Sequence, residues 1–159
     1  MNHTYVKRIK LWSPVVIIAS VIFFFSSQPY EKQDLKPGIL SKVDLSLVEK
    51  TADSVSFEYA TSEISISRLG VQQFVEFFIR KGAHFFIFAL LGLFFYRALL
   101  HEGVNVRKAI IYSLLFLAFY ATSDEIHQHF TGNRTPLVQD VILDFVGGAF
   151  GVFIRSLKK

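Results

Sequence analysis

Residues 82–100 read GAHFFIFALLGLFFYRALL, and this run decides the fold class. A helix needs about 20 apolar residues, each rising about 1.5 Å, to cross the hydrocarbon core of a bilayer. The run is apolar around most of its circumference and shows no period-two alternation, which suits a lipid-facing helix better than a strand or an amphipathic surface helix. Three further stretches, 11–25, 109–123 and 137–154, are of the same kind. Four such segments in 159 residues argue against the buried core of a water-soluble helical protein. The composition agrees: 52% of residues are hydrophobic, 19% charged, and mean hydropathy is +0.40, whereas soluble domains average about 25% charged. The fold expected is an all-α membrane protein, one domain over 1–159, with transmembrane helices at about 9–27, 80–100, 107–124 and 137–156.

Charge sets the orientation. With the N-terminus in the cytoplasm, nine cations lie inside (Lys7, Arg8, Lys10, Arg97, Arg107, Lys108, Arg155, Lys158 and Lys159) against a single acid, Glu102. The other side then holds eight cations and twelve acids. Short cytoplasmic pieces rich in Lys and Arg satisfy the positive-inside rule, so both termini are expected inside and the segment from about 28 to 70 outside. The first stretch is read as a retained helix, because FFFSSQP at 23–29 offers no well-placed small-x-small cleavage site. Within the outer segment, the spacing of Leu40, Val43, Leu47 and Val48 predicts a short amphipathic helix, and the Ser, Thr and Glu that follow predict a loop too small and polar to bury its own core. Residues 71–81 place Gln72, Gln73, Glu76 and Arg80 on one face, Glu76 and Arg80 at ion-pair spacing, and predict an extension of the second helix along the outer interface. The absence of Cys excludes disulfides and thiolate metal sites. The net charge of +4 is scattered, not striped, which argues against a nucleic-acid groove.

The ionisable residues gather at one depth. Arg80 and Lys81 stand at the outer end of the second helix, with His84 about one turn, roughly 5 Å, deeper. Asp124, Glu125, His127, Gln128 and His129 occupy the outer end of the third helix; Asp140 and, one turn deeper on the same face, Asp144 belong to the fourth. Such groups are costly in hydrocarbon unless they pair or face water, so they are expected to converge inside the bundle. His84 and Asp144, each embedded in an apolar run, could alternatively form an ion pair that only fixes helix two against helix four. In the connection HFTGNRTPLVQD, Gly132 and Asn133 read as a turn, Thr135 as an N-cap and Pro136 as the first helical residue, so that Arg134 beside the helix N-terminus, with Arg80 and Lys81, would suit a phosphate or carboxylate. Gly147 and Gly151 lie on the face of Asp140 and Asp144 and turn Asp144 toward another helix. A metal reading could draw on His84, Asp124, Glu125, His127, His129, Asp140 and Asp144, but no HExxH spacing is present. A serine nucleophile at Ser26, Ser27 or Ser123 lacks a strand-turn-helix elbow.

Together FFFSSQP, FIRKGAHFFIFALLG and SDEIHQHFTGNRTPLVQDVILDFVGGAFG resemble the VanZ-like family of bacterial membrane proteins. The R-K-x-x-H, D-E-x-x-Q, N/G-R and D-x-x-x-D elements occur in order, on Arg80, Lys81, His84, Asp124, Glu125, Gln128, Arg134, Asp140 and Asp144. Asp144 stands where many relatives would carry Asn. The resemblance implies a multi-pass protein of the bacterial cytoplasmic membrane, in a family whose naming member is linked to low-level resistance to the glycopeptide teicoplanin. It supplies no reaction.

The leading functional expectation is an outward polar pocket that binds or modifies an anionic lipid, such as a phospholipid head group or a lipid-linked cell-wall precursor. In an enzyme, His84, Asp124, Glu125 and Asp144 would exchange protons, and Arg80, Lys81, Gln128, Arg134 and Asp140 would bind. No cofactor is expected, with a divalent cation kept as the alternative. The competing expectation is a non-catalytic module whose polar cluster locks the helices. A transporter is disfavoured, because the inner halves of these helices are Phe, Leu, Ile and Ala.

Overall fold

A computed structural model describes residues 3–28, 40–132 and 136–157. The described chain is mostly helical: α1 (His3–Ser26), a 3₁₀ turn (Leu40–Lys42), α2 (Ser46–Ala52), β1 (Ser56–Tyr59), β2 (Ser62–Ser65), α3 (Ile66–Leu69), α4 (Val71–His101), α5 (Val106–Gly132) and α6 (Val138–Leu157). It divides into two compact units, Met1–Gln28 with His84–Lys159, and Pro29–Ala83.

The first unit is a helical bundle with a core of Val15, Ile22, Phe88, Leu91, Tyr96, Leu117 and Val152. Pro14 lies within α1, where it can donate no hydrogen bond to the turn before it; the Ser13 hydroxyl reaches the Lys10 carbonyl at 3.4 Å in its place. Aromatic rings tie α1, α4 and α5 together: Phe95 stacks on Phe116 at 4.0 Å, Trp12 meets Phe95 edge-on, and the Tyr120 hydroxyl donates to the Ala19 carbonyl at 2.7 Å. At the opposite end of the bundle from the polar helix ends, Glu102 accepts from Arg8 (2.9 Å) and from the Trp12 indole (3.3 Å). Helix α6 approaches α4 backbone to backbone: a Cβ at Gly147 would fall on the Phe85 carbonyl, and one at Gly151 on the Ala89 carbonyl. Phe24, Phe86, Leu115, Phe119, Val146 and Phe153 point outward, a quantity of exposed apolar surface that water does not tolerate and lipid requires.

Among the described residues, three helices are long and apolar enough to cross a membrane: Tyr5–Ser26, Val71–His101 and Val106–Thr131. Helix α6, expected as the fourth span, carries Asp140, Asp144 and Arg155 within 20 residues, and its apolar run is correspondingly interrupted. It begins at Val138, two residues beyond the predicted Pro136. Gly132, expected in a turn, instead ends helix α5, which runs on past the apolar stretch; Asn133 and Thr135, the rest of the expected turn and cap, lie outside the described residues.

In the second unit the all-α expectation needs correction. Residues read as loop form an antiparallel hairpin in which Phe57 pairs with Ile64 and Tyr59 with Ser62. The expectation that this segment buries no core is also overturned: Ile64, Ile66 and Phe74 are buried, with Phe57, Tyr59 and Phe77 packed around them. The apolar side chains come from the hairpin, from α3 and from the first turns of α4, the stretch expected to extend the second helix along the outer interface. The short helix expected around Leu40 to Val48 appears as the 3₁₀ turn and α2, and the extension at 71–81 is continuous with the apolar helix as α4.

Candidate functional site

Four helices of the first unit each bring a polar side chain to one place. Ser26 is the last residue of α1, His84 projects from α4, Asp124 and Gln128 stand one turn apart on α5, and Asp144 lies in the second turn of α6. Ser26, Asp124, Gln128 and Asp144 are all at least nine-tenths buried. Asp124 Oδ2 accepts from the Ser26 hydroxyl at 2.8 Å and from the Gln128 amide at 2.9 Å. His84 Nδ1 and Asp144 Oδ2 lie 3.4 Å apart, the imidazole donating when Nδ1 carries the proton. Suitable ligand atoms of His84, Asp124 and Asp144 fall within 4.8 Å of one another.

The location follows from local structure. Gly147 and Gly151 let α6 sink against α4, and the helical period then points Asp144, three and seven residues earlier, into the same seam. On α5 the same period separates the buried Asp124, Glu125 and Gln128 from the exposed Ile126. Glu125 is buried yet does different work from its neighbour. Its Oε1 accepts the backbone N–H of Leu137 at 2.7 Å, and the Leu137 carbonyl accepts the first bonds of α6, so a carboxylate of α5 caps the start of α6.

The predicted site residues thus separate into groups. His84, Asp124, Gln128 and Asp144 come together. Glu125 serves the helix start beside them. Arg80 and Lys81 belong to the second unit, where the Arg80 guanidinium meets the buried Glu76 carboxylate at 2.7 Å, as the i,i+4 spacing predicts, and the Lys81 ammonium lies 4.9 Å from the centre of the Tyr59 ring. Asp140 sits in the first turn of α6, where a carboxylate complements the helix dipole. Arg134 lies outside the described residues. Of the seven residues in the broad metal reading, three are grouped as ligands; His127 instead stacks on Phe23, rings 4.0 Å apart. Sequence reasoning treated Ser26 only as a weak nucleophile candidate and missed its role as a donor to Asp124. The signal available was its position one residue beyond the last apolar residue of α1.

Two carboxylates, an imidazole, an amide and a hydroxyl can hold or pass protons, or ligate a cation. Among the described residues no Lys or Arg pairs with Asp124 or Asp144.

A family model described as VanZ/LLP1 matches residues 11–159, nearly the whole chain, and the chain belongs to that family. No curated protein and no solved structure matches it.

Proposed function

From this family membership and the buried cluster, we propose that the chain is a multi-pass protein of the bacterial cytoplasmic membrane that binds an anionic lipid or lipid-linked envelope component at the outer end of its bundle. The single observation behind the reading is the convergence of His84, Asp124 and Asp144 at the end of the bundle where α1 terminates and α6 begins. With the N-terminus placed inside by the positive-inside rule, that end faces outward. Ionisable side chains held at one depth in an apolar bundle are functional candidates by default. Arg134, four residues before Val138 in the sequence, is the proposed phosphate contact; His84, Asp124 and Asp144 are the groups that would move protons if the ligand is transformed.

Native mass spectrometry of the detergent-purified chain tests the reading. A co-purifying anionic lipid is expected, and its loss in Arg134→Ala. Lipid retention equal in wild type and Arg134→Ala would refute the proposed contact. Turnover on envelope lipid extracts, abolished in Asp144→Ala, would extend binding to catalysis. A change in teicoplanin susceptibility on deletion would connect the chain to the naming member's phenotype.

A second reading is favoured by particular hydrogen bonds. Ser26 to Asp124 joins α1 to α5, His84 to Asp144 joins α4 to α6, and Glu125 to Leu137 joins α5 to α6. A cluster serving only to lock helices would lose thermal stability and function together on substitution. A folded, stable and inactive Asp144→Asn variant would decide against it.

A further inference from the structure

We propose that His84, Asp124 and Asp144 form a binding site for one first-row divalent cation, such as Zn²⁺. Three observations lead there. The first is electrostatic. Two carboxylates at 4% and 3% exposure share one seam, and the partners of their oxygens are a hydroxyl, an amide and a single imidazole. With both carboxyls ionised, the group carries two negative charges beside a neutral His84 and one beside a protonated His84. Buried charges are paired or coordinate metals, and a divalent ion supplies the missing positive charge.

The second observation is an unused ligand atom. Asp144 Oδ1 is buried and has no hydrogen-bond partner among the described residues, while Oδ2 of the same carboxylate is engaged by His84. A buried acceptor left unsatisfied costs about 1–3 kcal/mol, more for a charged group. A cation removes that cost.

The third is geometric. The ligand atoms lie within 4.8 Å of one another, one from each of three helices. An ion with bonds of about 2.1 Å holds tetrahedral ligands roughly 3.4 Å apart, so side-chain rotations of about an ångström close the site. Imidazole as a ligand selects the later first-row metals over Mg²⁺ and Ca²⁺, which prefer all-oxygen shells. Ser26 and Gln128 form the outer shell, orienting Asp124 through Oδ2. Three protein ligands leave coordination positions open for water or a phosphate oxygen. The ion would therefore bring two buried carboxylates and an anionic ligand together without repulsion. This deepens the lipid reading, but binding of the ion alone does not require it.

The full chain in detergent, stripped with EDTA and dialysed, is titrated with ZnCl₂ alone and the bound metal counted by mass spectrometry of the elements. One ion per chain is expected in wild type. Asp144→Asn, Asp124→Asn and His84→Gln should each bind it at least roughly 100-fold more weakly, and Gln128→Ala, which disturbs only the orientation of Asp124, about 10- to 100-fold more weakly. His129→Gln should retain it. Cobalt titration of the wild type gives a reading independent of any variant: visible bands of a low-coordinate N/O site are expected. Absence of stoichiometric zinc together with a spectrum of hydrated cobalt overturns the site, as does zinc retained in a folded His84→Gln, Asp144→Asn double variant. Zinc bound with no anionic lipid retained leaves the site standing and sinks the lipid reading; lipid retained by metal-free protein does the reverse.

Discussion

At the scale of the residue, two adjacent carboxylates on α5 have opposite assignments, and substitution separates them. Glu125 accepts the Leu137 N–H at the start of α6, a contact that a neutral carbonyl oxygen can also make. Glu125→Gln should therefore keep most of the stability and the ligand binding, whereas Glu125→Ala should lose about 1–2 kcal/mol, as for other lost helix caps. Thermal unfolding in detergent measures both, and equal losses would remove the capping assignment. Equal loss of turnover in the two variants with stability intact would instead return Glu125 to the acid-base role expected from the sequence. Asp124 and Asp144 were legible as candidates, because ionisable residues interrupt otherwise apolar runs. The Glu125 cap was not. Its partner is a backbone N–H twelve residues away at the start of the next helix, and backbone groups leave no trace in composition or periodicity.

Among the elements, α6 owes its position to glycine, and not every glycine matters equally. A methyl group at Gly151 would overlap the Ala89 carbonyl, whereas Gly82 has open space where its Cβ would stand. Gly151→Ala should force α6 away from α4 and destabilise the bundle by at least the roughly 1–3 kcal/mol of an overpacked core. Gly82→Ala, relieved only of backbone entropy, should be neutral or stabilise by about 0.5–1 kcal/mol. Unfolding midpoints of the pair check this, with similar behaviour excluding the close approach. The hairpin carries a different dependence. Hydrogen bonds from Ser65 and Ser56 hold the Glu63 carboxyl below its ordinary value of 4.5. The folded state thus favours the ionised form. Its contribution is complete above that value and is lost as pH falls through the lower, folded pKa. Acid unfolding of the hairpin, followed through its aromatic circular dichroism, should become less steep in Glu63→Gln. In hindsight the strands were readable: Val55, Phe57 and Tyr59 alternate with polar residues, as do Ile64 and Ile66. What hid them was the turn, where Ala60 adopts φ of 56° in place of the Asn-Gly that ordinarily announces a hairpin.

For the whole molecule, the prediction is that α6 crosses the membrane as a fourth span, and the distribution of its side chains supports it. By composition it falls short of the other three helices, because Asp140, Asp144 and Arg155 interrupt it. A charged residue facing lipid at mid-helix would cost about 2.5–3.5 kcal/mol on insertion scales. Asp144 does not face lipid: it is buried with Gly147, Gly148, Gly151 and Val152, while Ile142, Val146, Phe150 and Phe153 form the exposed stripe at helical spacing. Arg155 lies in the last turn, within reach of the interface. The surface offered to lipid is therefore apolar even though the sequence is not, and a window average over all faces understates the helix. Fusions of alkaline phosphatase and a fluorescent protein after residue 157 should report a cytoplasmic C-terminus, and fusions within 40–70 an exported one. Reversing Lys7, Arg8 and Lys10 to acidic residues should weaken that preference, since these cations carry the first part of the positive-inside bias. An exported C-terminus in the unaltered chain would mean three spans and would place the start of α6, and with it Asp144, on a helix lying along the membrane rather than through it.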